Sequence, residues 1–405
     1  MCKSVKLFKQ YLNNIDLLSG ECYIPSFLTS QDGRIRTGRM KRAHFFFTLA
    51  VIGISLFFLI SCADSPSFAR EDTLFERLEQ KELTIVMTDS GLGGLSVMAD
   101  TVEKLRTLNA YKSVRLVFVN ALFSTEGGYN SLRTPEEKHR ILDSALHRME
   151  ELYQPDLILI ACNTLSILYP RTTFAQSASI PVIGIVDTGV EMMAERLKPN
   201  PEARLILFGT QTTITENTHT LKLTQMGFLP DRIITQACPD LVPYIEKDHS
   251  GDETEMLILA YVDEALQKLG GHTSPLYVCF GCTHYGYALE LWQNAFSGMG
   301  VDVAGFINPN SGMTHIFDRP SVRDRFERTD IETRIISMVP IPEETVSSLG
   351  EWLFSRSPDI SRALHRHEII PDLFPWKPFV DESRKPPIPM DESLGNLFDD
   401  PFEWD

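Results

Sequence analysis

Positive charge is scarce in this sequence. Its 405 residues carry 38 Lys and Arg against 54 Asp and Glu, a net charge of −16. Such a surface repels phosphate backbones and anionic lipid headgroups, which excludes nucleic acid as a partner. Cysteine is sparse too, with seven residues whose spacing forms no disulfide framework in a chain of this length. No second Cys/His pair accompanies Cys279 and Cys282, so a structural zinc site lacks its remaining ligands. No Lys-Ser or Lys-Thr follows the glycine turn Gly91-Leu-Gly93-Gly94, and its spacing misses the dinucleotide fingerprint. No lysine stands in a setting that marks a pyridoxal phosphate site, and no metal or cofactor is expected.

Long apolar runs are missing, with one exception. Phe45 to Ile60 is uncharged and strongly apolar, follows Met40-Lys41-Arg42 and ends at Leu59-Ile60-Ser61-Cys62. A basic n-region, an apolar h-region and a small residue before cysteine form a secretory signal of the lipoprotein kind, with Cys62 as the lipidated residue. The alternative, an uncleaved single-span anchor, needs a slightly longer run. Met40 is a natural start, which makes 1–39 a leader outside the fold and 40–61 the signal. A mature chain beginning at Cys62 loses eight basic and three acidic residues, leaving 30 against 51 and a net charge of −21. The expected location is the cell envelope, lipid-anchored and facing the periplasm; without the signal it is the cytoplasm. An oxidising compartment is in tension with an enzyme that depends on free thiols.

What the chain does contain is a matched pair of cysteines. Asp156-Leu-Ile-Leu-Ile-Ala-Cys162-Asn163-Thr164 and Leu276-Tyr-Val-Cys-Phe-Gly-Cys282-Thr283-His284 each read as a buried strand delivering a thiol at its C-terminal end. That end is where α/β sheets place their ligands. Two further strands run into small, polar turns: Leu83 to Asp89 before Ser90-Gly91-Leu-Gly93-Gly94, and Arg204 to Gly209 before Thr210. Ser90 precedes Cys162 by 72 residues, and Thr210 precedes Cys282 by the same 72. The repeat predicts an α/β fold of two pseudo-symmetric, doubly wound domains with the active site in the cleft between them.

At these residues the chain resembles the cofactor-independent glutamate racemases of the aspartate/glutamate racemase superfamily. The resemblance rests on Asp89-Ser90-Gly91-Leu-Gly93-Gly94-Leu-Ser96-Val97, Ala161-Cys162-Asn163-Thr164 and Gly281-Cys282-Thr283-His284-Tyr285, in that order. Weaker matches are Ile180 to Ile185 and Ala237-Cys238-Pro239-Asp-Leu-Val-Pro243, and the whole spans residues 82 to 312. The resemblance implies that Cys162 and Cys282 exchange the substrate α-proton on opposite faces, one as thiol and one as thiolate. It implies that Asp89 assists on the Cys162 side and His284 on the Cys282 side. Ser90, Asn163, Thr164, Thr210 and Thr283 would then hold the α-carboxylate and ammonium of an amino acid. Thiols suit the task, since their reference pKa lies near physiological pH.

The chain also departs from that family. Where its members carry Gly-Asp and then Pro-Tyr-Gly, this sequence has Phe118-Val119-Asn120-Ala121 and then Thr125-Glu126-Gly127-Gly128-Tyr129-Asn130. Gly286 replaces the usual Pro. The proton-transfer residues are kept while part of the substrate wall is rewritten. Glutamate leads as substrate, and the expected partners are an amino acid, the membrane through lipid on Cys62, and a second copy as a homodimer. The rivals are a ligand-binding lipoprotein on the same scaffold without turnover, and a thiol-disulfide pair at Cys279 and Cys282. The expected domains are a tether over 62–81, a first domain over 82–180 completed by helices from 313–370, a second over 181–312, and an acidic tail over 371–405.

Overall fold

In the computed structural model, which describes residues 71–271 and 275–380, two parallel sheets carry the chain. Residues Leu83 to Thr88 are apolar with little interruption, and the strand they form is buried on both faces, as parallel strands between helix layers are. This strand, β1 (Glu82–Asp89), pairs with β2 (Ser113–Asn120) on one side and β3 (Leu157–Ile160) on the other. Beyond β3 lies β4 (Val182–Gly184). The second sheet repeats the plan with β5 (Arg204–Gly209), β6 (Ile233–Ala237), β7 (Leu276–Gly281) and β8 (Val303–Ile307). The strand orders β2-β1-β3-β4 and β6-β5-β7-β8 are the same, so the pseudo-symmetry expected from the sequence is present in the topology.

The first sheet has two strands more than the repeat needs. β9 (Asp330–Ser337) pairs in parallel along the whole of β2, and the two-residue β10 (Glu368–Ile369) closes the edge. The 313–370 region was expected to return helices to the first domain. It returns a strand as well, followed by helices Glu343–Arg356 and Pro358–His365. The expected boundary at 180 also shifts, because β4 joins the first sheet and Ile185 already opens the helix Ile185–Leu197.

Period-two alternation sorts the strand residues into layers. Ile85, Met87, Leu116, Phe118, Leu157 and Leu159 face Val97, Val102 and Leu105 of the helix Leu95–Leu108. Val86, Val117, Val119, Ile158 and Ile160 face Ile141, Leu142 and Leu146 of the helix Pro135–Tyr153. That helix starts where Thr134-Pro135-Glu136-Glu137 marks a start, with Thr134 and Glu137 forming a reciprocal capping box. In the second sheet Leu205, Leu207, Cys279 and Ile307 pack on Val190, Met193 and Leu197.

Both expected tails are partly built into the fold. The tether region contains the helix Glu71–Leu78, whose Leu78 is buried and whose Arg77 pairs with Asp156 at 3.2 Å. Past β10, residues 371–380 form a strap. Leu373 and Phe374 enter the core, and the Trp376 ring packs against Phe123 at a tilt, with centroids 5.1 Å apart. Cys62 and the signal segment lie outside the described residues, as do 381–405. Among the described residues no helix is long and apolar enough to cross a membrane.

Candidate active site

Every candidate site residue expected from the sequence sits at or just beyond the C-terminal end of a strand. β1 ends in Asp89 and hands on to Ser90; β3 hands on through Ala161 to Cys162. β5 hands on to Thr210 and β7 to Cys282. Neighbouring strands are locked at these ends, with Ala161 N donating to Thr88 O at 2.9 Å and Cys238 N to Gly209 O at 2.9 Å. The ends of the central strands of both sheets therefore face one boundary, where a doubly wound fold collects its ligand groups.

The first thiol, Cys162, caps the helix Asn163–Leu168, and its Sγ accepts from Leu165 N at 3.5 Å. The same Sγ shares a hydrogen bond of 3.2 Å with Ser90 Oγ. Asp89 beside it is 1% exposed and accepts from Thr283 Oγ1 at 2.7 Å, a bond that crosses from the second sheet to the first. Next to Thr283, Cys282 Sγ lies 3.7 Å from His284 Nδ1. The far nitrogen of that ring, Nε2, lies 2.7 Å from Glu246 Oε1. Glu246 also accepts from Leu92 N in the glycine turn at 3.1 Å. Asp89, Ser90, Cys162, Thr283, Cys282 and His284 thus form one connected set.

The remaining three expected residues form a second cluster on the flank. Thr164 Oγ1 and Thr210 Oγ1 share a hydrogen bond of 3.0 Å across the boundary, and Asn163 Oδ1 lies 3.1 Å from His219 Nε2. Among the described residues, the nitrogen end of the Asn163 amide is buried without a partner, as is the hydroxyl of Tyr129. Tyr129 lies in the segment expected as a rewritten substrate wall, whereas Glu246 and His219 are residues that the sequence did not single out. Asn310 joins them, donating from Nδ2 to Ser96 Oγ at 2.8 Å and to the Thr283 carbonyl at 2.9 Å.

Burial sets the electrostatics. It raises the Asp89 carboxyl, with the His284 charge and the Thr283 bond pulling the other way. It lifts the Cys162 thiol well above its ordinary value, helped by the Asp89 charge. For His284 burial opposes the charged ring, but the bonds to Cys282 and Glu246 outweigh it and the imidazolium is favoured. An imidazolium here offers its Nδ1 proton to the second sulfur while Glu246 holds the other end.

The glycine turn makes this proximity possible. A Cβ on Gly93 would come within 2.6 Å of His284 Nδ1 and 2.8 Å of His284 N, closer than real side chains come. The site is closed over: Cys162 and Cys282 are 5% and 6% exposed. Two surface cavities, of about 520 and 740 Å³, lie elsewhere, the first against His139, Arg140 and Arg171 and the second against the N-terminal ends of β1 and β2. Cys238, Cys279, Cys162 and Cys282 are all free thiols. Cys279 belongs to the core under the helix Ile185–Leu197 and Cys282 to the opposite layer, so the formal C-x-x-C is divided between two packing layers.

A twin parallel α/β fold with a thiol at the same strand end in each half defines a class, and comparison places the chain in it. The chain belongs to the Asp/Glu/Hydantoin racemase family, which matches residues 90–303, and it is an isomerase of the racemase kind. Among its relatives is the glutamate racemase of Persephonella marina, 28% identical over 211 residues, covering 50% of this chain and 71% of that one. The glutamate racemase of Chlorobium phaeobacteroides is 30% identical over 204 residues, covering 50% of this chain and 68% of its own length. The crystal structure of glutamate racemase from Francisella tularensis with D-glutamate superposes with a TM-score of 0.52 at 20% identity, covering 72% of this chain and 98% of that one. The enzyme from Campylobacter jejuni gives 0.51 at 20%, covering 67% and 98%. At that identity the superpositions show a shared fold.

Proposed function

We propose that this chain interconverts the L- and D-forms of an amino acid, glutamate first among them, by passing the α-proton between Cys162 and Cys282 without a cofactor. The observation that carries the reading is the connected set running from Ser90 and Cys162 through Asp89 and Thr283 to Cys282, His284 and Glu246. It presents two sulfurs from two different sheets, each with its own acid or base partner. Removing one α-proton and returning another to the opposite face needs such a pair.

In this reading Cys162 and His284 hold their protons at rest. Cys162 keeps its proton until a positive charge arrives, and the substrate ammonium supplies one beside Asp89. Cys162 passes its thiol proton to the Asp89 carboxylate, which the ammonium keeps ionised, and the resulting thiolate takes the α-proton from one face. Cys282, resupplied through His284 Nδ1, delivers a proton to the other. In the reverse direction the roles exchange, and Glu246 steadies the imidazolium in both. The unpartnered Asn163 amide nitrogen and Tyr129 hydroxyl are donors suited to carboxylate oxygens, which supports a dicarboxylic substrate. The binding-only alternative has no use for a charged His284 between Cys282 and Glu246.

The reading extends to the envelope. The segment from Lys41-Arg42 to Ser61-Cys62 supports export and lipid attachment at Cys62, and a D-amino acid made there would serve the cell wall. Replacing Cys62 by Ser and fractionating cells checks this; protein that remains in the membrane fraction would refute the anchor. The activity is tested by following α-proton loss in D₂O for a panel of L-amino acids under reductant. Loss with glutamate supports the proposal, loss with another amino acid corrects the substrate, and no loss with any overturns the enzyme.

A further inference from the structure

Asn163 follows the first thiol directly, and only one end of its side-chain amide is engaged. Its Oδ1 lies 3.1 Å from Nε2 of His219, which reaches across the boundary from the helix Thr218–Gln225. Both residues are buried, at 2% and 1% exposure. The two outer nitrogens, Nδ2 of Asn163 and Nδ1 of His219, have no partner among the described residues.

Only one protonation pattern suits this arrangement. A neutral imidazole carries a single N–H. Placed on Nε2, that hydrogen bonds to Asn163 Oδ1, leaves a bare lone pair on Nδ1, and turns the amide NH₂ outward beside Cys162. Placed on Nδ1, it would be a buried donor with nothing to meet, among the costlier defects of a folded interior. The amide would then have to turn over to donate to Nε2. That would present an acceptor oxygen where a carboxylate must bind. Burial, and after it the charge of Lys222, keeps the ring neutral, with a pKa lowered to about 4. Lys222 itself is paired with Asp187 at 2.7 Å.

We propose that His219 is a positioning residue for the racemisation: it fixes the Asn163 amide from across the lobe boundary so that Nδ2 is held ready for a substrate carboxylate. The inference rests on the amino-acid substrate proposed above and adds the group that orients its receptor. The same bond makes the donor conditional on the two sheets being together, since His219 and Asn163 belong to different ones.

The test uses the full chain and two kinds of readout. Two-bond ¹H–¹⁵N correlations of the ligand-free protein near neutral pH should show the His219 ring protonated on Nε2; protonation on Nδ1 would overturn the assignment. In α-proton exchange, His219→Phe should raise KM for both enantiomers about tenfold while kcat changes less than about threefold, the size of one lost hydrogen bond. His219→Gln, which retains a donor, should recover most of that loss. In an Asn163→Ala background, His219→Phe should add nothing further. An unchanged KM in His219→Phe, or an effect that multiplies with Asn163→Ala, would sink this role alone. A wild-type chain inert toward every amino acid would sink the racemase reading and this role with it.

Discussion

Asp89, Cys162 and His284 each hold a proton more firmly than they would in water, and for different reasons. Desolvation dominates at the first two, whereas the sulfur and the Glu246 carboxylate prevail over it at the third. A group whose folded pKa is raised gives stability that is complete below its unfolded pKa and lost as pH rises through the folded value. For Asp89 that loss begins above the ordinary carboxyl value of 3.8. Asp89→Asn should therefore melt higher than the wild type near neutral pH, converge with it in acid, and be inactive. Thermal melts across pH check this, and a variant that melts lower at neutral pH would contradict it. Glu246→Gln should leave the fold intact and lower kcat by about tenfold to a hundredfold, because His284 loses the partner that keeps it charged. An unchanged kcat would remove Glu246 from the account. Nothing in the sequence joined Glu246 to His284, which lies 38 residues on. The Ala237–Pro243 segment drew attention, but the acid one helical turn later reads as an ordinary surface residue. His219 was equally silent, a histidine among threonines whose partner lies 56 residues away.

At the scale of elements, the strands that deliver the candidate site residues were legible because they are buried on both faces. β1, β3, β5 and β7 read as apolar runs with little interruption, and each thiol or hydroxyl stands where its run stops. β9 was not legible. Asp330-Ile-Glu-Thr-Arg-Ile-Ile-Ser alternates charged and apolar residues at its start, where only one face is covered. β4 is three residues long and gives way at once to a helix, which is why the boundary moved. The strap falls within the expected acidic tail because Pro and Asp surround its aromatics. Its Phe374 is 1% exposed against the helix Pro135–Tyr153 layer, so Phe374→Ala should cost about 3–5 kcal/mol in urea unfolding. A loss under about 1 kcal/mol would mean the strap is not part of the core. The glycine turn makes the opposite demand, for absence of a side chain. Gly93→Ala should hold the two strand ends apart and reduce activity more than about a hundredfold, while circular dichroism stays unchanged. Normal turnover in that variant would show that the turn and His284 need not be so close.

For the whole molecule, the duplication is the organising fact. Two sheets of the same strand order bring one thiol each to a shared boundary, and polar contacts close it: Thr283 to Asp89, Thr164 to Thr210, Lys138 Nζ to Thr212 Oγ1 at 2.8 Å, and Arg171 to Glu216 at 3.2 Å. Each such hydrogen bond contributes only about 0.5–1.5 kcal/mol net, and a substrate reaches the buried thiols only if this boundary opens. The strand order follows from apolar runs and their spacing, but which polar groups meet across the boundary depends on packing that no local pattern records. The most direct test of the account compares wild type, Cys162→Ser and Cys282→Ser with each enantiomer of glutamate in D₂O. The wild type should yield the opposite enantiomer carrying solvent deuterium at Cα, and each single-thiol variant should lose interconversion by more than about a thousandfold. Product that retains the substrate's own α-proton, or a variant that keeps about a tenth of wild-type turnover, would contradict the two-thiol mechanism.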